Sequence, residues 1–189
     1  MKTLNNYINE ALIKKDTKIK TYNYYPKDIF ELREIIENRL KNDKNSDLND
    51  IDVSKIISFC DTTRGQYRDR GLFEGLDPHN IDISEWNVSK VENMKRVFFG
   101  CRNLVCDLSK WDVSNVETMD CMFFNCCNTF NSNLSEWDVS KVKNMSRMFY
   151  DCYNFNSDLS HWDVSKVEDM YNIFHGCKAL KNKPSWYKE

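Results

Sequence analysis

The side chains of this 189-residue sequence that could do chemistry fall into columns rather than clusters. Cys101, Cys126, Cys152 and Cys177 recur at near-equal intervals. Such a ladder could hold a metal or cycle between thiol and disulfide. Each Cys, however, follows a phenylalanine of an apolar stripe by three positions, where a thiol packs as a small hydrophobe. Cys121, Cys126 and Cys127 lie close together, but no His or Cys stands near them at zinc spacing. Core packing by reduced thiols, with no metal, is the expectation.

Two further columns are acidic or amide: Asp47, Asp82, Asp107, Asn133, Asp158, and Asp52, Asn87, Asp112, Asp138, Asp163. Stacked carboxylates repel, so each either accepts backbone N–H bonds in a turn or binds a cation such as calcium. Asn replaces Asp with no other change in its surroundings, as a local backbone bond would allow, so turn bonding is expected. The three histidines, His79, His161 and His175, occupy different columns. No Ser/His/Asp grouping, paired-carboxylate motif or Gly-rich phosphate loop stands out. No catalytic residue and no cofactor are therefore expected.

Recognition chemistry has two candidate places. Phe99, Phe124, Tyr150 and His175 each follow a core phenylalanine, next to Cys127 and Tyr153. Exposed, they would form an aromatic strip of the kind enriched at interfaces; the other reading is packing between repeats. Arg64, Tyr67, Arg68 and Arg70 lie in an irregular segment and offer Arg and Tyr anchors.

What positions these columns is an internal repeat. Trp86, Trp111, Trp137 and Trp162 follow one another at intervals of 25, 26 and 25 residues, each inside a phrase such as Leu134-Ser-Glu-Trp-Asp-Val-Ser-Lys-Val142. Met94, Met119, Met145 and Met170 and then Phe98, Phe123, Phe149 and Phe174 follow in every copy. A degenerate first copy starts at Leu48, with Ile51 in place of Trp and about ten residues inserted near 61–70. Insertions in repeat arrays map to loops that often touch ligands.

The spacing of Val91, Met94, Phe98 and Cys101 matches one helix face. Ser89, Ser114 and Ser165, followed three positions later by Glu92, Glu117 and Glu168, read as capping boxes that start that helix. Trp-Asp-Val before the cap reads as a very short strand, paired in parallel between copies. The fold class predicted is an α/β repeat: a right-handed leucine-rich-repeat-like solenoid of about five strand-plus-helix turns with a helical N-terminal cap.

The cap spans 1–44. Asp28 with Glu31 boxes a helix over 28–41, striped by Ile29, Leu32, Ile36 and Leu40; Leu4, Tyr7, Ile8, Ala11 and Leu12 suggest a helix before it. The five repeats span 45–182 and a C-terminal cap 183–189, where Trp186 closes the last repeat, all in one continuous domain.

At these residues the chain resembles the BspA-like leucine-rich-repeat family of bacterial and phage proteins, in which units such as Asp-Leu-Ser-Xaa-Trp-Asp-Val-Ser-Xaa-Val-Xaa-Xaa-Met-Xaa-Xaa-Met-Phe-Xaa-Xaa-Cys are strung together. The likeness covers about residues 45–182 and is closest over Leu159 to Cys177. It implies a right-handed solenoid and no catalytic residues.

Composition narrows the function. With 27 basic against 29 acidic residues, closely mixed, there is no basic footprint for nucleic acid. No stretch approaches the ~20 apolar residues of a spanning helix, and the opening residues carry no signal-peptide core, so a cytoplasmic protein is expected. The expected function is a non-catalytic protein–protein interaction module. Alternatives are a phage or mobile-element inhibitor that occludes a host defence enzyme, and a surface adhesin fragment. The partner expected is another protein, with no membrane; oligomeric state stays open.

Overall fold

The structure is a computed structural model that describes residues 20–63 and 69–188. The early helix expected through Leu4 to Leu12, and Arg64, Tyr67 and Arg68 of the inserted segment, lie outside the described residues.

Helix α1 (Ile29–Asn42) forms where its sequence signals place it. The Asp28 carboxylate accepts the N–H groups of Phe30 and Glu31, while Glu31 reaches back to the N–H of Lys27. Leu32, Ile36 and Leu40 are buried on one face against the first repeat. Arg33 closes the first repeat's open carbonyl edge: its guanidinium donates to the carbonyls of Gly71, Leu72 and Glu74 at 2.6–2.7 Å. Lys44 does the same for the carbonyl of Leu76.

The expected strand-plus-helix solenoid does not form. Among the described residues the regular elements are α1 and one antiparallel pair, β1 (Cys60–Asp61) with β2 (Arg70–Gly71). The repeats are instead runs of tight turns, joined through single parallel bridges at Ser58↔Asn93↔Thr118↔Asn144↔Asp169. Each run is one tier of a stack.

The helix fails for a stereochemical reason. Arg96, Cys121, Arg147 and Asn172 have φ between 53° and 58°, and Gly100, Asn125, Asp151 and Gly176 repeat a left-handed turn four residues on. Two left-handed residues per tier are incompatible with a right-handed helix. The N–H groups then alternate in destination. Those of Val97, Phe99 and Cys101 bond back three residues, whereas those of Met94, Arg96, Phe98 and Gly100 reach the carbonyls of Thr118, Asp120, Met122 and Phe124 in the next tier. A helix would have kept all of these bonds to itself; here half of them bind tier to tier.

The capping boxes fail with the helix. The Ser89 hydroxyl donates to the side chain of Asn87, and Ser114 to Asp112, instead of accepting an N–H three residues on. The N–H groups of Glu117, Lys143 and Glu168 form a ladder to the carbonyls of Glu92, Glu117 and Lys143. The Trp-Asp-Val steps are turn residues too, because Trp111 and Val116 bond back three positions to Leu108 and Val113.

Inside the stack, like lies on like. Phe73, Phe98, Phe123, Phe149 and Phe174 stack with centroid spacings of 5.1–5.9 Å. Trp86 lies on Trp111, and Trp162 on both Trp137 and Trp186, nearly parallel. Each indole N–H also donates to the tier before: Trp86 to the carbonyl of Leu48, Trp111 to Ile83, Trp137 to Leu108, Trp162 to Leu134 and Trp186 to Leu159. These bonds satisfy the buried polar end of a large apolar side chain.

Both acidic columns make turns. Asp47, Asp82, Asp107, Asn133 and Asp158 accept the backbone N–H two residues on, as do Asp52, Asn87, Asp112, Asp138 and Asp163. A third column, Asn93, Asn144 and Asp169, closes the same bond at the bridge positions. The serine bonds hold the carboxyls of Asp82, Asp107, Asp138, Asp158 and Asp163 below the ordinary value of 3.8.

A pH dependence follows. Above about pH 5 these carboxylates are ionised in both folded and unfolded chains, so their stabilisation is complete. Below it the unfolded chain takes up protons first, and stability drains until the folded carboxyls titrate too. The contribution of these carboxyls to the urea midpoint should therefore be constant above about pH 5 and fall below it. A variant with Asp107, Asp138 and Asp163 all changed to Asn, which keeps the acceptor and loses the titration, should show a shallower fall. An unchanged acid limb would place the sensitivity elsewhere.

Candidate functional site

The residue after each core phenylalanine faces outward, because the turn centred on it sends consecutive side chains to opposite sides. Phe98, Phe123 and Phe149 are fully buried, while Phe99, Phe124 and Tyr150 are half-buried and His175 is exposed. Those outer rings form a second ladder. Phe99 stacks on Phe124 at 4.8 Å, Phe124 on Tyr150 at 4.8 Å, and Tyr150 on His175 at 4.5 Å, with interplanar angles of 8°, 9° and 21°. The rings therefore pack between repeats, face on face, while part of each stays accessible.

The head of the ladder carries a cation. The Arg96 guanidinium lies 3.7 Å from the centroid of Phe99, within cation–π range. Glu74 holds it there through a two-pronged pair, at 3.0 Å from Nε and 2.5 Å from the terminal nitrogen. Glu74 also accepts the N–H of Gly71, so the hairpin that carries Arg70 is tied to the same cluster. Arg70 itself is half-buried at the end of β2, on the tier before Arg96. Of the sequence-derived candidates, Phe99, Phe124, Tyr150 and His175 are brought into one stack, and Arg70 lies on the neighbouring tier.

Arg96 and Glu74 were not singled out by sequence reasoning. Their signal is a cation three residues before an outer aromatic, and the same spacing appears in Arg147 with Tyr150. Arg147, however, lies 5.0 Å from the ring centroid of Tyr171, an exposed side chain. Lys178 stands 4.5 Å from the centroid of Tyr153.

The cysteines carry no such site. All eight are free thiols. Cys126, Cys152 and Cys177 donate to the carbonyls of Phe98, Phe123 and Phe149 at 2.9–3.0 Å, and Cys101 to that of Phe73 at 3.5 Å. Burial pushes Cys60, Cys121 and Cys177 up to about 12 and the deeper thiols further. Thiols held so far from ionisation are poor nucleophiles at neutral pH. Among the described residues no group of three His, Cys, Asp or Glu side chains converges on a cation position.

A family model described as Mycoplasma protein of unknown function, DUF285, matches residues 69–187, more than half of the chain. The chain belongs to that family. The match takes in the outer ladder, Arg70 and Arg96, and leaves out α1. No curated protein matches this DUF285 chain. No solved structure matches it. Among its described residues no helix is long and apolar enough to cross a membrane.

Proposed function

We propose that this DUF285 chain is a non-catalytic protein-binding module, whose recognition surface is the ladder Phe99, Phe124, Tyr150 and His175 with Arg96 at its head and Arg70 beside it. The observation that supports this reading is the face-to-face stacking of four outward rings on a backbone fixed by tier-to-tier bonds. Aromatic residues and arginine are the types that dominate binding energy at protein interfaces. Rings already stacked lose little rotamer freedom on binding, so more of the contact energy survives as affinity. Within the family, we read the Trp-Asp-Val-Ser-Lys-Val phrase as a tie to the BspA-like repeat proteins.

The test begins with the protein partner retained by a tagged full chain in its native cell, followed by titration of that partner against variants. Phe124→Ala and Tyr150→Ala should each weaken binding about tenfold, roughly 1.4 kcal/mol, with a far smaller change in unfolding midpoint than loss of a buried phenylalanine brings. Equal affinity for both variants and wild type would retire the ladder as the binding surface.

A further inference from the structure

The two ends of the stack are not equivalent. In every interior tier the N–H groups of four alternating residues donate forward: Met145, Arg147, Phe149 and Asp151 reach the carbonyls of Asp169, Tyr171, Ile173 and His175. The matching donors of the last tier, Met170, Asn172, Phe174 and Gly176, find no acceptor among the described residues. Trp186 continues the tryptophan column over Trp162 and packs with Tyr187 on Phe174, but no described backbone pairs with the donors of the run 168–176. The apolar side chains there divide: Ile173 and Phe174 are buried, Phe174 against Trp186 and Tyr187, while those toward the start of the run are not. Val91, Val116 and Val142 are fully buried, as are Met94, Met119 and Met145, whereas Val167 and Met170, together with Val164, are only half-buried.

Hydrogen-bond polarity decides what can sit on this edge. A second copy docked edge to edge would set donors against donors. A second copy docked head to tail would need the carbonyl edge of its first tier, which Arg33 and Lys44 already occupy and α1 covers. What fits is a segment that presents alternate carbonyls to four N–H groups and lays apolar side chains on Val164, Val167 and Met170. We propose that the 168–176 edge is a second binding site, distinct from the outer ladder. It captures an extended segment of a partner protein by main-chain pairing, parallel to the edge as every inter-tier bridge here is parallel.

Amide hydrogen exchange on the full chain tests this, with a synthetic peptide of residues 139–152 as probe, since it carries the carbonyl phase of an interior tier. Alone, the chain should exchange the amides of Met170, Asn172, Phe174 and Gly176 at least a hundredfold faster than those of Met145, Arg147, Phe149 and Asp151. Added peptide should slow the four edge amides tenfold or more, while a scrambled peptide leaves them fast. Val167→Lys and Met170→Lys, at positions already half-exposed, should abolish that slowing without shifting the unfolding midpoint appreciably. Phe124→Ala should leave it intact, which separates this site from the ladder. Slow exchange of the edge amides in the free chain would mean the edge is already covered and would overturn the proposal. Fast exchange that millimolar peptide fails to slow would overturn it too.

Discussion

Replacing Phe123 by alanine should cost about 4 kcal/mol of folding free energy, seen as a large fall in urea midpoint at an unchanged slope. Phe123 sits in the middle of the inner column, fully buried. Its ring stacks on Phe98 and Phe149 at 5.5 Å and on Phe130 at 4.2 Å, and Trp137 lies 6.4 Å away. Truncation opens a cavity bounded by four aromatic rings held by their own stacks, so collapse can recover little. Native domains are stable by only ~5–15 kcal/mol, so this one change removes a large part of the total. Phe174→Ala, in the last tier, should cost about half as much, because that ring stacks on Phe149 alone within its column, with Trp186 and Tyr187 beside it. Equal losses at the two positions would show that stability is not transmitted through this column.

The contrast between these two positions rests on periodicity, the feature most legible in the sequence. A 25-residue recurrence of Trp, Met, Phe and Cys means equivalent environments, and that holds whatever backbone path joins them. Helix α1 was legible for a different reason: the Asp28 cap and the Leu32, Ile36, Leu40 stripe are local signals that no tertiary contact overrides. The tiers were misread because a three, four, three spacing of apolar residues is shared by a helix face and by a run of turns that alternates inward and outward residues. The distinguishing signal was present in one column. Gly100, Asn125, Asp151 and Gly176 are the residue types that tolerate left-handed backbone. In the other left-handed column, Arg96, Cys121, Arg147 and Asn172, the conformation is imposed by tier-to-tier bonding and leaves little trace in residue type. The site divides the same way. The outer ladder could be read from spacing, whereas the Glu74 clamp on Arg96 depends on how the inserted hairpin folds back, and the open donor edge depends on the direction of bonds that a helix would not have made.

That hairpin supplies the second large effect, Gly71→Ala. Gly71 lies in β2, paired with Cys60, with its Cα against the neighbouring tier. A Cβ there would collide with the carbonyl of Arg96 and come within 2.8 Å of the Val97 nitrogen. Neither neighbour can yield cheaply. The Arg96 carbonyl accepts the N–H of Phe99, its own N–H is bonded to Asp120, and the Val97 carbonyl accepts from Phe73 at 2.8 Å. The first two tiers would have to part, loosening that bond and the Phe73–Phe98 stack at 5.1 Å. Overpacking against fixed backbone should cost on the order of 3 kcal/mol. Gly100→Ala is the control, since a Cβ there meets nothing within 4 Å and pays only for a φ of 72°, about 1 kcal/mol. Chemical denaturation of the two variants distinguishes the causes: if Gly100→Ala is as damaging as Gly71→Ala, backbone conformation rather than contact between tiers sets the cost. Because the collision is with Arg96 itself, Gly71→Ala should also lift the guanidinium from the face of Phe99 and weaken partner binding, even in the fraction that remains folded.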